Sequence, residues 1–397
     1  MARVGKVDSR INRRMAGSMA PPVMEARRWL EETPENEQFP LINVSQAAPV
    51  APPPPPLIEA ILDAAANESA SHVYGPVLGL PDLRQEIAMK WSSSYGGAIS
   101  VEQVAITSGC NQAFTAAISA VAGAGDAVVL PIPWYFNHKM WLDMMGIESR
   151  LLDTGAGLIP CPEKAEAMLS QNVRAIVLVS PNNPTGIEYP ADVVDRFFDL
   201  ASQRGISLIL DETYRDFDSR GFAPHSIFAK NNWELNFIHL YSFSKAYRLT
   251  GHRVGALIAS KKILAQAEKF LDTVSICPNQ LGQRAALFGL RHLGEWLAEE
   301  RREILRRKAE MEKEFQNLPG WSLKGCGAYF AYAEHPFEED SEKVVRRMIA
   351  DVGILALPGS MFVPPSMVEI GCKPIRFAFA NSDVAGIQEL FARLRQF

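Results

Sequence analysis

Cysteine is scarce and scattered in this 397-residue chain. Cys110, Cys161, Cys277, Cys326 and Cys372 are odd in number and form no Cys-x-x-Cys pair. That argues against a disulfide framework and against a zinc site of the usual ligand spacing, and it makes the reducing cytoplasm the expected location. Long hydrophobic runs are missing too. None approaches the roughly 18 residues that cross a bilayer, and the longest, such as Ala175-Ile176-Val177-Leu178-Val179, have the length of a strand. Neither sign of charge dominates: with 40 basic residues against 45 acidic ones and a net charge of −5, the chain offers no field for nucleic acid or an anionic membrane. Gly325-Cys326-Gly327 lacks the third glycine of a Gly-x-Gly-x-x-Gly loop, so a dinucleotide site has no support. No internal repeat is visible. The N-terminus carries Arg3, Lys6, Arg10, Arg13 and Arg14, as a transit peptide would, but it has no signal-peptide apolar core and reads as a solvated end.

What is present is an ordinary globular composition, 47% hydrophobic and 21% charged, over a length that calls for two domains or one large α/β unit. Strand-like apolar runs recur at 104–106, 127–130, 174–179, 206–210 and 237–241, with helical patterns between them, such as 192–203. That rhythm predicts a mostly parallel sheet covered by helices on both faces. After about residue 293 the texture changes to a charged helical stretch at 296–317, a further helix at 341–351 and short strand-like runs, which together read as a smaller α+β domain. The helix-like segment 22–32 is expected to join it. The proline run at 51–56 reads as an extended connector, neither helix nor central strand. The expected division is 1–50 as a segment joining the small domain, 51–292 as a large cofactor-binding domain, and 293–397 as the small domain.

Ligands of open parallel sheets bind beyond the carboxyl ends of the strands, and here every such end carries polar or aromatic groups. In order they read Ser108-Gly109-Cys110-Asn111, then Pro131-Ile132-Pro133-Trp134-Tyr135, Ser180 to Gly186, Asp211 to Phe217, and Ser242-Phe243-Ser244-Lys245. Each piece has a plain structural use as a cap, a turn or a core aromatic; their convergence is what points to a site. A lysine delivered by an apolar strand needs a partner or gives up its charge. A neutral Lys245 can attack an aldehyde to form a Schiff base. Ser108, Gly109 and Cys110 at a helix start suit a phosphate, and Ser242 and Arg253 add a hydroxyl and a planar cation. Asp211 suits a ring nitrogen that must stay protonated. Tyr214 and Asn183 can hydrogen-bond a phenolic oxygen, and Tyr135 or Trp134 can stack on a ring. The ligand that asks for this set is pyridoxal 5′-phosphate.

These stretches resemble the class I and II aminotransferases of pyridoxal-phosphate fold type I, over nearly the whole chain. "SFSKAYRLTGHRVG" is similar to the family's cofactor-lysine segment, which implies Lys245 as the cofactor-bearing residue, with Ser242 and Arg253 on its phosphate. "PNNPTG" implies Asn183 at the phenolic oxygen, and "DETYRDF" implies Asp211 on the ring nitrogen with Tyr214 on that same oxygen. "YGPVLGLPDLR" implies that Tyr74 reaches the phosphate of a neighbouring subunit, hence a homodimer, and "IRFAFA" implies that Arg376 grips the substrate α-carboxylate. The resemblance implies amino transfer from an L-amino acid to a 2-oxo acid. A lyase or decarboxylase on the same fold is the alternative, and a regulator that uses the fold without catalysis is a more distant one. Two departures stand out. Ala47 takes the place of a glycine, narrowing the α-carboxylate end, and the segments where relatives carry a cation for a distal carboxylate hold no Arg or Lys. The expected type is aspartate, aromatic or broad in specificity with the donor open; the missing cation favours a neutral donor, with Trp134 and Tyr135 near its side-chain pocket.

Overall fold

The computed structural model describes residues 10–34 and 36–397. Arg3 and Lys6 lie outside them, while Arg14 donates from Nη1 to the Met145 carbonyl at 3.0 Å. The first strand, β1 (Ile42–Asn43), finds its partner late in the chain. Seven strands then build the main sheet: β2 (Val104–Thr107), β3 (Ala127–Ile132), β4 (Glu148–Asp153), β5 (Val173–Val179), β6 (Ser207–Asp211), β7 (Phe237–Ser242) and β8 (Gly255–Ile258). Their order is β2-β8-β7-β6-β5-β3-β4. All neighbours from β7 to β4 are parallel, and β8 alone runs antiparallel to β2 and β7.

Two of these strands escape a search for apolar runs, each for a physical reason. β4 is an edge strand whose exposed Glu148 and half-buried Ser149 and Arg150 keep it polar. β8 follows β7 without a crossover helix of ordinary length, so it can only turn back antiparallel. The inner strands β3, β6, β7 and β8 are buried at every position, and so is the edge strand β2. Successive side chains feed two separate cores. Ala175, Val177 and Ile209 pack on one face, and Ile176, Leu178, Leu208 and Leu210 on the other. Helices therefore cover both faces, as expected.

The second sheet comprises β9 (Ser322–Gly327), β10 (Phe330–Glu334), β12 (Leu357–Pro358) and β13 (Pro374–Ala378), antiparallel in the order β12-β13-β10-β9. Between β10 and β12, β11 (Ile354–Leu355) pairs in parallel with β1, and Ala378 N donates to Val44 O at 2.8 Å. The N-terminal segment is thus stitched to the C-terminal part of the chain. The helices Gly294–Gln316, Ser341–Val352 and Val384–Leu394 complete this smaller α+β part.

The proline run needs a correction. It is extended only to Pro54 (φ −63°, ψ 148°), after which Pro55 and Pro56 open the helix Pro55–Asn67. In a first helical turn the missing N–H costs nothing and the fixed φ is already helical.

Candidate active site

The ends of β2, β6 and β7 and the loop after β5 meet β13 around a cavity of about 330 Å³. Behind β2, Gly109 (φ +84°) precedes the helix Cys110–Val121. A Cβ on Gly109 would clash with Arg253 Nη2, and one on Gly255 would stand 2.7 Å from Cys110 N. Two glycines thus let the helix N-terminus and the Arg253 guanidinium close on each other. Arg253 itself takes a left-handed backbone (φ 51°), and its Nη1 donates to Thr250 O at 3.0 Å and Ser244 Oγ at 3.3 Å. Strain of this kind persists where the surroundings demand it.

Ser242, the last residue of β7, caps the single turn Phe243–Ala246 by accepting from Ser244 N at 3.2 Å, and that turn presents Lys245 to the cavity. Lys245 Nζ donates to the Ala47 carbonyl. Burial, and then the nearby Arg253 and Arg376 charges, bring this lysine down to about 7. Asp211 ends β6 and is 3% exposed. Burial pushes its carboxyl up, but the His138 ring, with Nε2 3.3 Å from Oδ2, and the Thr213 N–H at 2.9 Å more than offset that and leave it below the usual carboxylate range. His138 is itself stacked on Phe114, with ring centres 3.8 Å apart.

Arg376, on β13, donates from Nη1 to Asn183 Oδ1 at 2.7 Å and from Nη2 to the Ser45 carbonyl, while its Nε has no partner among the described residues. The guanidinium lies between the Phe330 and Phe362 rings at 4.9 and 5.1 Å. Burial lowers it to about 10. Burial also holds the Tyr214 phenol well above its usual range. Tyr135 donates to Asn111 Oδ1 at 3.2 Å and accepts from Asn137 Nδ2 at 2.8 Å. The ionisable cations lining the cavity are Lys245, Arg253 and Arg376, against the single carboxylate of Asp211. Arg376 is buried, Lys245 half-buried and Arg253 exposed at the rim, and this local surplus of positive charge asks for an anionic ligand.

Of the residues singled out in the sequence, the cavity brings together Ala47, Cys110, Tyr135, Asn183, Asp211, Tyr214, Ser242, Lys245, Arg253 and Arg376. Gly109 stands behind it as the N-cap, and Ser108 uses its N–H on Gln112 Oε1 at 2.6 Å. Trp134 is not part of the lining; it is 4% exposed, and its indole N–H donates to the Met361 carbonyl at 3.3 Å. Tyr74 is 77% exposed and lies in a surface groove with Cys277 and Gln280. Sequence reasoning passed over His138, Ser244, Thr250 and Gln46. Ser244 lies within a stretch already marked as a strand end and Thr250 within the cofactor-lysine segment, but nothing local told a cavity-facing side chain from its neighbours; His138 lies outside the lining and acts through Asp211.

Residues 40–394 match the family model "Aminotransferase class I and II". The chain belongs to the class I and II aminotransferases. It is 26% identical to an aromatic aminotransferase of Arabidopsis thaliana, over 97% of this chain and 95% of that protein. It is 27% identical to an aspartate aminotransferase of Thermotoga maritima, over 90% and 91%. In fold it is similar to a putative kynurenine aminotransferase from Saccharomyces cerevisiae, with a TM-score of 0.89 at 18% identity over 98% and 99% of the two chains. A Thermus thermophilus aspartate aminotransferase gives 0.87 at 21%, over 97% and 99%. Like its family, this aminotransferase depends on pyridoxal 5′-phosphate and acts on amino acids and 2-oxo acids.

The residues of the cavity fit that cofactor. A phosphate needs donors and positive charge, which the glycine-cleared helix N-terminus, Ser242 and Arg253 provide at one end. A pyridine nitrogen needs an ionised carboxylate, and Asp211 is held ionised in a nearly dry setting. An aldehyde needs a neutral amine, which Lys245 offers near pH 7.

Among the described residues no helix is long and apolar enough to cross a membrane, and no group of three or more His, Cys, Asp or Glu is placed to hold a metal. All five cysteines are free thiols.

Proposed function

We propose that this aminotransferase carries its cofactor on Lys245 and exchanges a neutral L-amino acid for a 2-oxo acid. The observation that carries the reading is Arg376, a buried guanidinium that among the described residues has an unpartnered Nε and only neutral oxygens as partners, in the cavity that also holds Lys245. Arg376 would take the α-carboxylate in a charge-assisted contact, with Asn183 orienting it and Ala47 limiting the space beside it. Bound here, pyridoxal phosphate supplies an aldehyde that takes up the amino group and a ring that accepts the electron pair released at Cα. Ser108, Gly109, Cys110, Ser242 and Arg253 would hold its phosphate, Tyr214 and Asn183 its phenolic oxygen, and Asp211 its ring nitrogen. Tyr135 would lie against the ring face. Lys245, once free of the cofactor, is the group that moves the proton at Cα, and a value near 7 suits one side chain to act as base and then acid.

Trp134 would act behind the donor pocket rather than within it. Tyr74 would serve a second copy of the chain, in a homodimer with shared sites. Its exposure, with Val73 and Ile276 exposed beside it, supports this. Mixing the inactive variants Tyr74→Ala and Lys245→Ala should restore activity in exchanged dimers, whereas a fully active monomer in sedimentation would rule the arrangement out. We also read 1–50, 51–292 and 293–397 as the units of the chain, supported by the β1–β11 pairing, and the free thiols as those of a cytoplasmic protein.

An amino-donor panel with 2-oxoglutarate and pyruvate as acceptors tests the activity. The other two cations of the cavity are assigned to the cofactor and Arg376 to the α-carboxylate, so neutral donors should equal or beat aspartate in kcat/KM. A preference for aspartate of about a hundredfold would overturn the choice of donor but not the reaction. Release of carbon dioxide or ammonia in place of amino transfer would overturn the reaction.

A further inference from the structure

We infer that Arg248 is a positioning residue, which through Glu300 holds the Lys245 turn in register with Arg376. The inference rests on the aminotransferase reading of the cavity and adds how two of its cations keep their spacing. Arg248 stands three residues after Lys245, half-buried and in a left-handed backbone (φ 56°). Glycine or asparagine takes that conformation most readily, so an arginine there carries strain that its side-chain contacts offset. Its Nη2 donates to both carboxylate oxygens of Glu300, at 2.8 and 2.6 Å, and its Nε donates to Oε2 at 3.0 Å. Its Nη1 donates to the Pro52 carbonyl at 3.3 Å, and the guanidinium lies 5.4 Å from the Trp296 ring centre. A forked, charge-assisted contact of this kind fixes direction as well as distance.

Glu300 belongs to the helix Gly294–Gln316. Two turns further along the same face, Arg307 donates to the Ala380 carbonyl at 2.6 Å, just beyond the strand that carries Arg376. One helix thus gives the lysine turn and the Arg376 strand a common frame. The extended segment before Pro55 repeats the link. Its Ala47 carbonyl accepts from Lys245 Nζ, its Pro52 carbonyl from Arg248, and its Gln46 carbonyl from Asn381 Nδ2 at 2.6 Å. Tyr329, in the turn between β9 and β10, adds a contact from its hydroxyl to the Lys245 carbonyl at 3.5 Å. Lys245 moves a proton at the Cα of a substrate whose carboxylate lies on Arg376, so the spacing of these two groups sets the alignment of that transfer. A misplacement of about 1 Å can cost about a hundredfold in rate. Glu300 neutralises Arg248, and the charges that weigh on Lys245 are those of Arg253 and Arg376. The effect of Arg248 is therefore one of position and not of field.

The experiment compares the wild-type protein with Arg248→Asn, Arg248→Lys and Glu300→Gln. Asparagine tolerates the left-handed backbone, so Arg248→Asn removes the ion pair without adding strain. Each apoprotein is given pyridoxal phosphate, and the rate at which the visible band of the lysine-bound cofactor forms is followed. In that step the Lys245 nitrogen bonds to the aldehyde carbon and water leaves. Calorimetry with pyridoxamine phosphate, which has no aldehyde, measures binding to the same cavity without the lysine. Arg248→Asn should slow the band about tenfold and lower kcat about tenfold at a nearly unchanged donor KM, with pyridoxamine phosphate bound as in the wild type. Glu300→Gln should do the same, and it decides the matter if Arg248→Asn does not fold. Arg248→Lys should recover part of the loss, because it keeps the charge but not the fork. Unchanged band formation and kcat in the variants, or an equal loss of affinity for pyridoxamine phosphate, would overturn the positioning role and leave the aminotransferase reading standing. A wild-type protein that forms no band would overturn that reading and the positioning role with it.

Discussion

Asp211 and Glu212 are neighbours at the end of β6, both buried, and they face two different worlds. Asp211 looks into the cavity, where Lys245, Arg253 and Arg376 have hydroxyls, amides and carbonyls as partners but no carboxylate in hydrogen-bond contact. Glu212 looks the other way. Its Oε2 accepts from the Tyr95 hydroxyl and contacts His239 Nε2 at 2.8 Å, with His225 Nε2 at 3.6 Å. Nearby, Arg215 lies over the Trp91 and Tyr95 rings at 4.2 and 4.7 Å, and Tyr241 donates to Asp216 at 2.6 Å. Both clusters are rich in ionisable groups, so burial of charge alone does not mark a site. What separates them is whether the charges find opposite charges within the chain. Around Glu212 acids and bases are balanced, with two histidines on Glu212 and Arg215 4.0 Å from Asp216, and the cluster is architecture. Around Asp211 two arginines and a lysine brought down to about 7 outnumber one carboxylate, and the missing negative charge is what a phosphate and a carboxylate would bring.

Substitutions on the two sides should therefore fail in different ways. Lys245→Ala should cause the largest loss, about 10⁴-fold in turnover, and should abolish the visible absorption band of the lysine-bound cofactor. A colourless wild-type protein that takes up no pyridoxal phosphate would break the comparison at its root. Next comes the carboxylate pair. Asp211→Ala should retain the cofactor but lose about 10²- to 10³-fold, mainly in kcat. Glu212→Gln should instead cost about 3–5 kcal/mol of folding stability, read as a lower Tm, with kcat of the folded enzyme nearly unchanged. If Asp211→Ala kept most of its kcat, or Glu212→Gln lost kcat without losing stability, the division between the faces would be wrong.

The smallest effect is a pH dependence. Lys245 is brought down to about 7, first by burial and then by Arg253 and Arg376. The attacking form is the neutral amine, whose fraction grows as pH rises through that value. Uptake of pyridoxal phosphate by the apoprotein should thus rise about tenfold per pH unit below about 7 and level off above it. Arg376→Gln should move the midpoint upward, because it removes a cation that disfavours the charged lysine. A flat profile across the neutral range would mean that the cavity does not tune this lysine.

Much of the fold was legible because buried parallel strands must be apolar at nearly every position, as 127–130 and 237–241 are. Helices whose apolar residues follow a 3.6-residue period were equally plain, and Pro22–Glu32 was delimited to the residue. The strands missed were those with other constraints: β4 at a polar edge, and β8, four residues long, turned back antiparallel. Within the site, strand-end position and residue chemistry picked out Lys245, Asp211 and Asn183, and resemblance added Arg376. They did not tell Trp134, turned toward Met361, from Tyr135 one residue later. That difference is a matter of rotation about the chain at the start of a helix, which no spacing encodes.

By itself, then, the amino-acid sequence determined the class of the fold, the family and the residues able to do the chemistry, because periodicity and residue type are local properties. Only the tertiary structure decided which charges remain without an opposite partner. Whether Glu212 is spent on His239 and Asp211 is left to the cavity, or Arg248 comes to rest on Glu300, depends on contacts between segments far apart in the chain. Electrostatic energy depends on distance through space, so a list of charged residues cannot say which of them is still waiting for a ligand.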